Sequence, residues 1–303
     1  MGRMGNGALD PLGLMPDREG VLRVDDGTTL PWQEFGTGPA VVLANGIGVR
    51  WPGLAHQIGV LRDRRRVVCW DYRGMGPSRL GRPDAEVSMG RQAEDLIALM
   101  DHLRIDRAIL GGWSMGVQVS LEVLRRRPER VAGFVALLGT YGRPFRGAFP
   151  APVARATEAT FALALRFPAL AQRPLDLAVA LPGLAFRVLS GAVFVGADAD
   201  RRVFDGNVRW VQQTDRRVYL RTMLELARHD ASDVLPRVRC PSLIVCGQRD
   251  HLTPPRVARR MAETIPGAEY LELAGATHFG LIERAEDLDA RLAAFVDGVW
   301  GRS

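Results

Sequence analysis

The chain predicts an α/β architecture: a mostly parallel sheet of about eight strands, flanked by helices and interrupted by a helical insertion. Two observations carry the core. The all-apolar run Ala40–Ala44 and the run Ser242–Gly247, apolar after its first residue, have the continuous hydrophobic pattern of strands buried on both faces. Segments with helical spacing alternate with them, and that alternation requires crossover connections between parallel strands. A third observation marks the insertion. After Leu138 the alternation stops, and residues 141–236 show helical stretches rich in Ala and Leu with no convincing strand.

Taken in order, Val21–Val24 and Thr28–Phe35, split by Asp26-Gly27, read as an antiparallel hairpin. Ala40–Ala44 and Arg66–Trp70 read as the next buried strands. Ser88 is a good N-cap for an amphipathic helix that runs to Leu103. Ala108–Leu110 is a short strand, Val117–Leu124 a helix, and Val131–Leu138 another strand. Beyond the insertion come a strand at Ser242–Gly247, a helix at Pro255–Ile265, a strand at Tyr270–Leu273 and a closing helix at Glu283–Trp300. The domain layout expected is a flexible extension at 1–19, a core at 20–140 and 237–303, and a helical lid at 141–236.

Bulk properties narrow the function. The 303 residues, 47% hydrophobic and 24% charged, suit one large soluble domain with an insertion. The net charge of +6 and a pI near 10.0 could suggest nucleic acid. However, all 40 basic residues are arginine, a bias expected of a GC-rich bacterial source. They fall in short runs such as Arg64-Arg65-Arg66 and Arg125-Arg126-Arg127, without interleaved aromatics, so no nucleic-acid partner is expected. Cys69, Cys240 and Cys246 lack metal-ligand spacing and read as reduced thiols, which excludes a disulfide scaffold. No signal peptide is visible, and the most apolar stretch, 161–195, is broken by Arg and Pro, so a transmembrane span is not expected. A cytoplasmic protein follows, as monomer or homodimer.

Chemistry concentrates at Gly112-Trp113-Ser114-Met115-Gly116. A strand, a glycine-flanked serine and a helix in that order form a nucleophile elbow, in which the chain turns sharply and the hydroxyl projects from the sheet edge. An activated serine needs a base, and the base needs a carboxylate to orient it. Asp250, just past Cys246-Gly247-Gln248-Arg249, and His278, in Ala274-Gly-Ala-Thr-His278, fall at the ends of later strands on the same edge. His251, His56, His102 and His229 have no partner at motif spacing and read as structural.

These segments, with Leu43-Ala-Asn45-Gly46-Ile47-Gly48 and Asp71-Tyr-Arg73-Gly74-Met-Gly76-Pro-Ser78, resemble the α/β-hydrolase family of lipases, esterases and enol-lactonases. The resemblance covers 21–140 and 237–300 and leaves the insertion unmatched. It implies a Ser114–Asp250–His278 triad and an oxyanion hole made by the backbone N–H groups of Ile47 and Met115. It implies no metal and no organic cofactor. Asn45 stands where the family has His, and its side chain can still tie the loop down. The Asn-Gly-Ile-Gly sequence also resembles intracellular depolymerases of medium-chain polyhydroxyalkanoates. Asp71 and Arg73 are expected to be ion-pair residues behind the site. Asn45, Trp51 and Trp113 are candidates for lining the substrate pocket.

The insertion supplies the substrate clue. Thr160–Leu165 and Leu175–Val195 are apolar, with few groups that could read a sugar or a nucleotide. The expected activity is hydrolysis of small hydrophobic carboxylic esters. A lactonase, a C–C bond hydrolase, a perhydrolase or a polyester depolymerase would use the same triad, and a non-catalytic ligand receptor could retain the fold. A serine nucleophile speaks against haloalkane dehalogenase and epoxide hydrolase, whose nucleophile is aspartate.

Overall fold

In the computed structural model, the described residues are 12–167, 187, 190 and 195–301. Eight strands form one sheet: β1 (Arg18–Arg23), β2 (Thr29–Phe35), β3 (Ala40–Ala44), β4 (Arg66–Trp70), β5 (Ala108–Trp113), β6 (Val131–Leu137), β7 (Ser242–Gly247) and β8 (Glu269–Leu273). Their spatial order is β1-β2-β4-β3-β5-β6-β7-β8. The first hairpin is antiparallel and β2 pairs antiparallel with β4, while all pairs from β4 to β8 are parallel.

Every residue of β3, β5, β6 and β7 is buried, as their unbroken apolar sequences require. Alternate side chains divide between two cores. Val42, Leu110, Phe134 and Ala136 face one, against α2 (Met89–His102) and α3 (Met115–Arg126). Val41, Leu43, Ile109, Val135 and Leu137 face the other, with α1 (Ala55–Leu61) and the last helix. Ser88 caps α2 as expected, its hydroxyl accepting the Arg91 N–H at 3.2 Å.

Between β6 and β7 lie α4 (Pro144–Ala148), α5 (Ala151–Arg166), α6 (Arg201–Gln213) and α7 (Arg216–Arg228). After β7 come α8 (Pro255–Thr264), α9 (Gly280–Glu283) and α10 (Ala285–Trp300). Four expectations need correction. Strand β5 runs on to Trp113, and α3 begins at once with Met115, so the turn between them is a single residue. The closing helix begins at Ala285, two residues later than expected, because Arg284 leaves helical geometry at φ −133°, ψ 46°, and a short helix, Gly280–Glu283, precedes it. Helix α1 was not anticipated; its sequence, Ala-His-Gln-Ile-Gly-Val-Leu, is too short for a clear period.

The fourth concerns the expected flexible extension. Its described part is tied to the sheet: the Asp17 N–H donates to the Glu34 carbonyl at 2.8 Å, and β1 starts at Arg18. Charged Arg18 and Glu19 hid the start of the edge strand read at Val21–Val24, since charges are tolerated on an edge. The first 11 residues of that extension, and Leu175–Val195 apart from 187, 190 and 195, lie outside the described residues. Among the described residues, no helix is long and apolar enough to cross a membrane.

The turn after β5 constrains three strands at once. A Cβ at Gly116 would stand 2.2 Å from the Ala44 carbonyl oxygen on β3. Gly116→Ala is therefore expected to destabilise the fold by about 1–3 kcal/mol, read as a lower urea midpoint at unchanged slope.

Candidate active site

Ser114 has φ 54° and ψ −113°, a region that costs an L-residue of order 1–3 kcal/mol and persists only where its surroundings over-determine it. The surroundings do so. The Ser114 N–H donates to the Leu137 carbonyl of β6 at 3.0 Å, and the Ser114 carbonyl accepts the Val117 N–H at 3.1 Å. A Cβ at Gly112 would stand 2.3 Å from the Gly116 backbone. Glycine on both sides of the serine is thus a steric requirement of the turn.

Loops at the ends of β7 and β8 bring two side chains to the hydroxyl. His278 Nε2 lies 3.0 Å from Ser114 Oγ, and His278 Nδ1 lies 2.9 Å from Asp250 Oδ2. Asp250 Oδ1 accepts the N–H groups of Leu252 and Thr253, both at 2.8 Å, and Oδ2 accepts the Thr253 hydroxyl at 2.6 Å. Burial opposes ionisation of Asp250, but His278 and these hydrogen bonds outweigh it and hold the carboxyl below its ordinary value. Asp250 is therefore a charged, fully coordinated acceptor for the imidazole.

Two supporting residues escaped the sequence reading. Thr253 is one, and its signal is the Asp-x-x-Thr spacing of a side-chain-capped turn. Glu283 is the other. Its carboxylate accepts the Thr277 N–H and hydroxyl at 2.7 and 2.6 Å and the Gly196 N–H at 2.6 Å. It fastens the His278 loop to the segment that leads into α6. No spacing links Glu283 to Gly196, so sequence offered no signal.

The Asn45–Gly48 loop is held from beneath. Asn45 Nδ2 donates to the Trp70 carbonyl at 3.0 Å, the Tyr72 hydroxyl donates to the Asn45 carbonyl at 2.9 Å, and the Gly48 N–H points to Met75 Sδ at 3.3 Å. Asn45 is 1% exposed and ties the loop, so it does not line the pocket. Trp51 does not either. A short 3-10 turn, Trp51–Leu54, folds its ring against Phe35 at 5.0 Å inside the core. Trp113 does border the cavity, and its Nε1–H donates to the His278 carbonyl at 3.3 Å. Ile47 borders the cavity too, whereas the Met115 side chain is buried in the core. As the first residue of α3, Met115 has an N–H with no carbonyl one turn earlier to receive it.

Asp71 and Arg73 stand behind the site. Asp71 takes two bonds from Arg50, at 2.7 and 3.0 Å, and Arg73 makes a buried bidentate pair with Asp95 at 2.6 and 2.7 Å. The Arg50 guanidinium also lies 4.3 Å from the centre of the Trp210 ring, joining α6 to this layer. His229 sits between Gln118 and Glu122 on α3, where burial and the charge of Arg125 push its protonation down to about 4. The cysteines are unpaired; burial raises all three, Cys240 and Cys246 to about 11, so neutral thiols stand near neutral pH. Among the described residues, no group of three His, Cys, Asp or Glu side chains could hold a metal ion.

Ser114 and His278 border a cavity of about 300 Å³. Its opposite wall comes from the segment between β6 and β7: Phe145, Phe149, Phe204, Val208, Val211, Tyr219 and Met223. The apolar stretch Thr160–Leu165 is not part of that wall. Phe161 stacks behind Phe145 at 5.5 Å, and Leu163 is 58% exposed.

A family model described as the alpha/beta hydrolase fold matches residues 39–285, and the chain belongs to this family. It is 28% identical over 292 residues to the polyketide synthase ThaQ of Burkholderia thailandensis, across 95% of the chain but only 13% of that much longer protein. It is 30% identical over 282 residues to the dihydrolipoyllysine-residue acetyltransferase component of the acetoin cleaving system of Pseudomonas putida, covering 89% of the chain and 67% of that protein. Among solved structures, the enol-lactonase of Burkholderia xenovorans superposes with a TM-score of 0.75 at 25% identity, covering 91% of this chain and 99% of the other.

Removing the Thr253 hydroxyl tests the carboxylate's support. Thr253→Val is expected to cost about 1–2 kcal/mol at pH 7. Because Asp250 titrates below its ordinary value, that stabilisation is present above the unfolded carboxyl's pKa and is lost as pH falls through the folded one. The difference between the variant and the parent in urea unfolding should therefore shrink below about pH 4.

Proposed function

We propose that this chain is a serine hydrolase that cleaves carboxylic esters of hydrophobic small molecules. The observation that carries the reading is the continuous hydrogen-bonded line from Ser114 through His278 to Asp250, bordering an apolar cavity. The likeness to an enol-lactonase supports ester chemistry and makes cyclic esters the second reading.

In this mechanism, His278 Nε2 takes the Ser114 proton as Oγ attacks the ester carbonyl. The tetrahedral oxyanion accepts the N–H groups of Ile47 and Met115, donors of a kind worth roughly 3 kcal/mol each in comparable sites. His278 gives its proton to the departing alcohol and leaves an acyl group on Ser114. It then activates water to release the acid. Asp250 holds the imidazole with Nδ1–H toward the carboxylate and stabilises the imidazolium that forms twice per cycle. Residues 141–236 act as the cap over this chemistry and bind the acyl or alcohol chain through their apolar wall. No step calls for a metal or an organic cofactor.

A fluorophosphonate probe is expected to label the parent chain and not Ser114→Ala. On p-nitrophenyl butyrate, Ser114→Ala and Asp250→Asn should each lose at least about 10⁴-fold in kcat. Failure of labelling together with no turnover, or full activity in Ser114→Ala, would overturn the proposal.

A further inference from the structure

Helix α6 presents Phe204, Asn207, Val208 and Val211 to the cavity, an i, i+3, i+4, i+7 stripe of one helical face. Three of the four are apolar, and Asn207 alone is polar. It is 4% exposed, and neither Oδ1 nor Nδ2 has a hydrogen-bond partner among the described residues. Buried polar groups are ordinarily satisfied, and an unsatisfied amide weakens the empty fold. Leucine at this position would complete the stripe without that penalty.

The amide also has a defined place. A Cβ on Gly53 would stand 2.8 Å from Asn207 Oδ1, so the group lies beside the turn that follows the Asn45–Gly48 loop. That loop carries the Ile47 N–H assigned above to the reacting carbonyl. A carboxamide offers one donor pair and one acceptor, and its natural complement is a hydroxyl or an amide.

We propose that Asn207 is a specificity-determining residue that binds a hydroxyl or amide group on the substrate. The preferred substrates are then esters that carry one such group within an otherwise apolar chain. The inference rests on the ester hydrolase reading and adds to it the class of substrate.

The test compares methyl hexanoate with methyl 3-hydroxyhexanoate, methyl 6-hydroxyhexanoate and methyl 4-acetamidobutanoate by pH-stat, with p-nitrophenyl butyrate as reference ester. The parent chain is expected to favour at least one substituted ester over methyl hexanoate by about tenfold in kcat/KM. In Asn207→Leu and Asn207→Ala that ratio should fall to about one. Asn207→Leu should also match or exceed the parent's Tm, because it removes two unpartnered polar atoms.

A residue with a structural role alone would give the opposite pattern: a lower Tm in both variants and an unchanged ratio, which overturns the inference. Turnover of p-nitrophenyl butyrate with no preference among the methyl esters overturns it while leaving the hydrolase reading intact. No turnover of any ester overturns both.

Discussion

The strained backbone at Ser114 is the constraint on which the site depends. Its conformation is held by contacts from three neighbouring strands: its own β5, the Leu137 carbonyl of β6, and the Ala44 carbonyl of β3 pressed against Gly116. Each contact comes from a strand buried on both faces, where packing density leaves little room to relax. The hydroxyl is therefore positioned by the middle of the sheet and not by a loop of its own. The imidazole and the carboxylate, by contrast, arrive on loops that need separate anchors. Asp250 is fixed by its own turn, and the His278 loop is fixed by Glu283 and by the Trp113 indole.

Electrostatics sort the reactive groups as sharply as geometry does. The chain holds several buried titratable side chains near its centre, yet most are held in fixed states. Arg50 and Arg73 are matched to Asp71 and Asp95, His229 is kept neutral by burial and nearby arginine, and the thiols are kept protonated. Asp250 is the contrasting case, a buried carboxyl kept ionised by His278 and by three donors that Leu252 and Thr253 supply from its own turn. A low-dielectric surrounding makes that single charge effective on the imidazole beside it.

Much of this was legible in the sequence, and the parts that were not share a cause. The buried strands announce themselves because residues hidden on both faces must be apolar throughout. The elbow does so because its turn tolerates only glycine on either side of the serine. The positions of Ser114, Asp250 and His278 follow from strand ends that share an edge. Long-range partners leave no such trace: Glu283 reaches Gly196 across 87 positions, and Gln57 reaches the Leu281 carbonyl across 224. Trp51 stayed open in the sequence because a large aromatic next to a site loop fits a pocket and a core equally well until the turn that aims it is known. Thr160–Leu165 stayed open for a related reason, since apolar composition does not say which neighbour an apolar face meets.

The two walls of the cavity have separate addresses along the chain. The serine, the imidazole, the carboxylate and their anchors Leu137, Thr253 and Glu283 come from outside residues 141–236, while most of the apolar lining comes from within them. The two parts are joined at the Glu283–Gly196 hydrogen bond and at the Arg50–Trp210 contact. Substitutions at cavity-lining positions of α6 and α7 such as Val208, Val211 and Met223, away from those two joints, change what fits the cavity while the hydrogen bonds of Ser114, His278 and Asp250 come from elsewhere in the chain. Such a partition lets mutation sample new ligands at little risk to reactivity, and it makes the inserted segment the natural place for a directed-evolution library.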